Sequence, residues 1–574
     1  EQEQAATSTL LIDQMIVEVR ADGSYWSEVH QLRRINDLAG VEANTEAAAA
    51  AHADQLLLLR TIATDGSSHV PALVNDTFTM PRLEPGAFVE QRHRNFVRAP
   101  GPGGWHTPQF FCRSATEPYE LTELVLIVPA TEPGELRVRN FPGPPTTIAL
   151  DDGRRALVFR QEHVHRLPPD QHAPALVDLV PVIAFGRDVG MGPVARQTTL
   201  AVFGPSRPTP VVTGFAHTLL QGLGSDADKV AAVHRFCQAE IVDGPGDNAT
   251  ATLLRKKGNR FYLALALLRA ADVPVAAAAA MPVRAELRRE GTPLFVEETP
   301  YVLPAALVQP RDGAPSWWFI DSPRHLPLGE VAGARAGARA VVVATDGLQQ
   351  QRLPANACTV AQTFAVTGQA TVGHGGDVLC TARIELADAA AYGLAEELRN
   401  LKADVRKLAA RQFAQRFFQD WRIEQAEFAD LEPAGRPLAL QVKVSRRLLQ
   451  TDGLGRALLQ LPLPPGKFLA AYGDREGREL PLHLTGELQS SWQLTVDLGD
   501  EYDIAAIPEP VLLDQGLLAY ALSFARSGRQ LLVQRQTTVR AGTIPLSAFG
   551  DWLRVLRTAD RSEEQTLRLS ARPH

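Results

Sequence analysis

Between residues 10 and 205 apolar and polar positions alternate with a period near two, the signature of strands with one buried face. Ile16-Val17-Glu18-Val19-Arg20 and residues 25–35 flank the turn dipeptide Asp22-Gly23, which predicts a hairpin. Similar runs at 55–63, 87–97, 120–128, 135–140 and 155–166 are separated by Pro- and Gly-rich stretches at 100–104 and 142–145. An antiparallel β-sandwich or barrel over residues 1–205 is the architecture this predicts.

Past 205–210 the period changes. Ser225-Asp226-Ala227-Asp228 reads as a capped helix start, after which Val230, Val233, Cys237 and Ile241 recur at helical spacing. A short helix at 250–257, ended by Gly258, precedes an almost wholly apolar helix at 261–271 that must be buried on all sides. Strand-like runs at 273–283, 301–309 and 317–321 complete an α+β core over residues 206–352. Residues 353–574 return to strands, at 359–366, 377–386, 438–448, 457–463, 492–498, 519–525 and 530–539, with Ser527-Gly528 as a tight turn. Within this part Leu394, Leu398, Leu401, Val405 and Leu408 predict one long helix over 389–421, lying on a sheet, and a last helix spans 547–558. The fold class is therefore multi-domain and β-rich around a central α+β core.

Composition narrows the possible roles. The 574 residues are 45% hydrophobic and 21% charged, as in ordinary folded proteins. With 58 basic against 65 acidic residues and no basic block, nucleic acid is not an expected partner. Cys112, Cys237, Cys358 and Cys380 form no CxxC pair, which argues against a zinc ribbon or dense disulfide framework. No apolar run approaches the roughly 20 residues that span a bilayer. The chain opens Glu1-Gln2-Glu3-Gln4, so we expect a removed leader or a start inside a longer protein.

Three segments carry a resemblance: Asp228-Lys229-Val230-Ala231-Ala232-Val233-His234-Arg235-Phe236, the run from Ala266-Leu267-Leu268-Arg269 to Val273-Pro274-Val275, and Trp318-Phe319-Ile320-Asp321-Ser322-Pro323. Together they resemble the transglutaminase-like superfamily, papain-related folds with a Cys, His and Asp triad. The flanking β-rich parts resemble a bacterial group with a β-domain of uncharacterised function before this core and another after it. The resemblance implies an exported protein, periplasmic or secreted, with helical repeats upstream in some relatives. It also implies a Gly-x-Cys where the apolar helix begins, because a helix N-terminus and a neighbouring His populate the thiolate.

Here the matching stretch is Arg255-Lys256-Lys257-Gly258-Asn259-Arg260. Counting back from Ala266-Leu267-Leu268-Arg269 puts Lys257 at the cysteine position, whereas anchoring on the glycine puts Arg260 there; neither register supplies a thiol. No His lies between His234 and His325, so only Asp321 matches the triad, and a carboxylate alone can orient but not attack. We therefore expect a pseudoenzyme with no catalytic residues, no metal and no cofactor. Its old cleft, rimmed by Lys257, Asn259, Arg260, Asp321, Arg324 and His325, would hold a protein or peptide partner or be sealed as core. A hydrolytic or acyl-transfer enzyme using a non-cysteine site around Asp321 is the alternative, and a carbohydrate-binding β-sandwich the third.

Other candidates have plainer readings. Cys237 lies on the apolar face of its helix, where a thiol acts as a small hydrophobe. His163, His165 and His172 could suggest a metal site, yet no acidic or cysteine partner at ligand spacing accompanies them. Arg92, His93, Arg94 and Arg98 read as a solvated face, and Asn248-Ala249-Thr250 as an incidental sequon.

Overall fold

The Asp22-Gly23 turn forms as the sequence predicts: Arg20 N–H donates to Ser24 O at 2.8 Å, and Asp22 Oδ1 accepts from Ser24 N–H at 2.9 Å. Gly23 has φ +83°, and a Cβ there would lie 2.7 Å from the Trp105 ring, so glycine is required both by conformation and by space. The computed structural model describes residues 6–572 apart from 48–52, 75–76, 99–104, 131–133, 169, 175, 188–197, 247, 281–300, 309–315, 321–327, 330, 332–337, 345–346, 354–362, 388, 430, 432–437, 452–455, 474–476 and 485. Asp321, Arg324, His325 and Cys358 thus lie outside the described residues. The chain forms two units, one of residues 1–169, 174–194 and 287–296, the other of residues 170–173, 195–286 and 297–574.

The first unit is built on an eight-stranded sheet in the order Thr146–Ala149, Arg154–Val164, Tyr119–Pro129, Ser8–Val19, Tyr25–Ile35, Phe88–Val97, Gln55–Ile62 and Ser68–His69. Its pairs are antiparallel except Ser8–Val19 with Tyr119–Pro129. A smaller sheet of Phe110–Phe111, Val182–Arg187 and Glu135–Arg139 supplies Phe110, Ile183 and Phe185 to a core shared with Val17, Leu126 and Phe159. Two sheets around one core make a sandwich. Arg92 and Arg94 converge on the buried carboxylate of Glu28 at 2.5 and 2.6 Å, so this basic cluster is largely an ion-pair ladder. His93 is buried beside them, and burial lowers its pKa. His163 adopts φ +53° and meets Glu120 at 2.8 Å, so it does not continue a regular strand face with His165.

Across this sheet, register aligns Gln161, Thr122, Asp13, Gln31 and Gln91 in one polar row. Asp13 is 7% exposed and accepts from Gln31 Nε2 at 2.8 Å. Burial pushes its pKa from 3.8 up to about 6, aided by Glu117 and opposed by Gln31 and Arg33. Folding therefore favours the protonated acid: its contribution is fully present below about pH 3.8 and is lost as pH rises through about 6. Asp13→Asn is expected to gain up to about 3 kcal/mol at pH 7.5 and only about 0.5 kcal/mol at pH 4, read from denaturant unfolding at both pH values. An equal effect at both would show that Asp13 is not held protonated.

In the second unit, four helices, Pro210–Leu219, Asp226–Glu240, Ala249–Arg255 and Arg260–Ala270, pack on a five-stranded antiparallel sheet. The order is Ser316–Phe319, Tyr301–Val308, Val275–Ala280, Arg339–Ala344 and Gly347–Arg352. Val275 and Ala277 face the helices, while Ala276, Ala278 and Ala280 pack in a separate cluster with Leu303, Phe319 and Val342. The alanine run is thus a central strand buried on both faces. The first helix and last two strands were not predicted; Pro210 at the first helical turn and Val341-Val342-Val343 were their signals.

The C-terminal part of this unit carries an eight-stranded sheet in the order Arg422–Ala429, Leu438–Arg447, Asp377–Leu386, Thr363–Val372, Leu488–Asp497, Gln530–Val539, Leu518–Ser527 and Val511–Gln515. Leu546–Glu563, five residues longer at its end than predicted, buries Phe549, Trp552, Leu553 and Leu556 in the same core. The predicted long helix over 389–421 is two helices, Ala389–Asn400 and Ala403–Phe417, followed by the Arg422–Ala429 strand. The break resets the helical phase. Leu398 is buried, but Val405 and Leu408 are 46% and 58% exposed, and Ala410 and Ala414 face the core instead. No helix among the described residues is long and apolar enough to cross a membrane.

Candidate functional site

The chain is brought to the start of the Arg260–Ala270 helix by local chemistry. Asn248 caps Ala249–Arg255 by accepting from Ala251 N–H at 2.9 Å, and the helix ends at Lys256 in the left-handed conformation, φ +53°. This corrects the prediction of a helix to 257 ended by Gly258. Lys256 takes the left-handed position despite its side chain, and its ammonium lies 4.5 Å from the Phe236 ring centroid and 5.5 Å from that of Phe215. Lys257-Gly258 then pairs in parallel with Val242-Asp243. At Gly258, φ is +143° and a Cβ would sit 2.5 Å from Thr252 Oγ1, so the glycine allows the strand to pass against the preceding helix.

Asn259 caps the next helix, accepting from Tyr262 N–H at 3.2 Å, and Arg260 is its first residue. Lys257 is exposed, Asn259 half-buried, and Arg260 only 2% exposed. Arg260 Nε donates to Ile241 O at 2.6 Å. A cation at the positive end of a helix is disfavoured by the macrodipole, so this arginine depends on its hydrogen bonding to stay buried. Three of the six predicted cleft residues are thus gathered at one helix start. The other three, Asp321, Arg324 and His325, lie outside the described residues.

Cys237 sits in the core of the helical layer and is fully buried. Burial pushes its thiol up to about 12, against the pull of the Arg260 and Lys256 cations. Such a thiol is protonated at neutral pH and closed to substrate. His234, on the same helix, is buried with Nε2 at 3.0 Å from Gln238 Nε2. Among the described residues, no group of three or more His, Cys, Asp or Glu is arranged to hold a metal ion. The residue missed from sequence is Lys256: lysine is uncommon as a left-handed cap, and only the two aromatic rings reveal why it is held there.

No protein-family model matches the chain, and no curated protein does. Among solved structures, the chain is similar over 98% of its length to a crystal structure of a "putative protease" from Parabacteroides distasonis, of which 99% is covered. The TM-score is 0.62 at 12% sequence identity, a likeness of fold.

Proposed function

We propose that this protein is a non-catalytic binding or scaffold protein built on a degenerate transglutaminase-like core, with a protein or peptide as partner. Arg260 carries the proposal. It stands at the first position of the buried helix, where the superfamily has its nucleophile, and its Nε donates to the Ile241 carbonyl. The helix start supports the glycine-anchored register, Gly258-Asn259-Arg260 over Gly-x-Cys, and leaves Lys257 outside the helix. An arginine remains protonated at any physiological pH and cannot form an acyl intermediate. Cys237 is no substitute, because its thiol is buried and its pKa raised. The bacterial structure of like fold has the word protease in its description, which makes a hydrolytic site around Asp321 the alternative to test.

The purified full chain is expected to release no ammonia from glutamine peptides, to incorporate no amine and to cleave no peptide substrate, and iodoacetamide is expected to change none of these. Turnover lost in Cys237→Ala would overturn the proposal. Hydrolysis indifferent to iodoacetamide but lost in Asp321→Asn would establish the alternative.

A further inference from the structure

The C-terminal part of the second unit encloses a cavity of about 590 Å³ between its large sheet and the Ala389–Asn400, Ala403–Phe417 and Phe468–Tyr472 helices. That lies within the range of about 300 to 1,000 Å³ common for small-molecule sites. Phe364, Phe413, Phe417 and Trp492 supply aromatic walls. Its floor is polar. Trp492 and Arg535 are directly paired across adjacent strands, and Thr537 is two residues further along the same face. These three residues are 2%, 4% and 3% exposed. Yet Trp492 Nε1, Arg535 Nε and Thr537 Oγ1 have no hydrogen-bond partner among the described residues.

Buried polar groups are rarely left unpaired, and three neighbouring ones at the floor of one cavity point to a ligand that pairs with them. Two of the three are donors only and the hydroxyl can donate, so the matching group is an acceptor oxygen. Arg535 already has its charge balanced by Glu563 at 2.7 Å, and a second carboxylate at the floor would be repelled by the first. At the rim, Arg416 lies 5.3 Å from the Phe413 ring and forms no ion pair among the described residues. We propose that this cavity binds a small molecule with a long-chain or aromatic hydrocarbon body and an uncharged acceptor oxygen, with an acidic group, when present, held at the rim by Arg416.

Titration of the full chain with 1-anilinonaphthalene-8-sulfonate tests this, with 16-hydroxyhexadecanoic acid and hexadecanol as competitors. Saturable binding at one site is expected, with displacement by both competitors. Ser490→Phe, which fills the cavity without touching the Arg535–Glu563 pair, should weaken probe binding at least tenfold with the melting temperature retained. Should that variant fail to fold, Arg416→Gln at the exposed rim gives an independent reading: a severalfold loss of affinity for the hydroxy acid and none for hexadecanol. Displacement by the acid alone, unchanged probe binding in a folded Ser490→Phe, or unchanged affinity for the acid in Arg416→Gln would overturn the assignment. Unsaturable binding spread over many sites would overturn it too and leave the floor groups to water.

Discussion

Glu563→Gln is expected to destabilise the second unit by about 3 to 5 kcal/mol, the cost of stranding a buried cation. Both members of the Arg535–Glu563 pair have side chains only 5% exposed, at 2.7 Å. Besides its partner, the carboxylate accepts from the Gly466 backbone N–H and, at 3.4 Å, from the Tyr520 hydroxyl, whose other neighbour is Ser562 at 3.0 Å. Burial first and the charge of Glu563 second raise the Tyr520 pKa, so the hydroxyl stays a donor throughout the neutral range. Glutamine keeps the shape but removes the charge, leaving Arg535 with the Pro464 carbonyl at 2.8 Å and the face of Trp492. A double change, Arg535→Met with Glu563→Leu, should recover most of the loss, because an apolar pair needs no compensation. Denaturant unfolding of the three chains decides it: a loss below about 1 kcal/mol in the single variant would mean that water reaches the pair.

Leu265→Ala and Leu268→Ala are each expected to cost about 2 to 5 kcal/mol through lost burial and the cavity left behind. Both leucines are fully buried in the Arg260–Ala270 helix, which also buries Phe261, Leu263, Ala264, Ala266 and Leu267. A helix enclosed on all sides has little freedom to collapse into a void, which places these sites toward the upper end of that range. Leu254→Ala serves as the control. Leu254 is 68% exposed on the neighbouring helix, and its loss should stay within about 0.5 kcal/mol. Equal effects at Leu254 and Leu265 would contradict the packing described for this layer.

Polarity changes at inward-facing positions were the least legible part of the chain. In the Gln530–Val539 strand, Leu531, Val533, Arg535, Thr537 and Val539 share one face, so alternation places a charge in the core, but only folding reveals its counter-ion 28 residues on. The Arg92–Arg94 cluster likewise reads as a solvated face until Glu28, paired with it across the sheet, neutralises it. For the resemblance to the transglutaminase-like superfamily, the absence of a cysteine and a histidine is plain from sequence, whereas the choice between Lys257 and Arg260 for the cysteine position is not, since two alignments fit equally well. Under the function proposed above, the helix start at Arg260 and its Asn259 cap favour the second.

What the sequence by itself determined is the strongly patterned elements, where local periodicity and turn chemistry specify a strand or helix whatever it packs against. The Asp22-Gly23 hairpin and the Ser225 cap formed as predicted, and the almost wholly apolar helix predicted over 261–271 spans Arg260–Ala270. Only the tertiary structure decided where long-range partners meet. The helix predicted over 389–421 contains no proline or glycine at its break, and its stripe from Leu394 to Leu408 is continuous. It nevertheless divides at Leu401-Lys402, because the second half buries Ala410, Ala414 and Phe418 rather than Val405 and Leu408. Helix propensity there is nearly uniform and differs by fractions of a kcal/mol per residue, so packing against the core sets the phase.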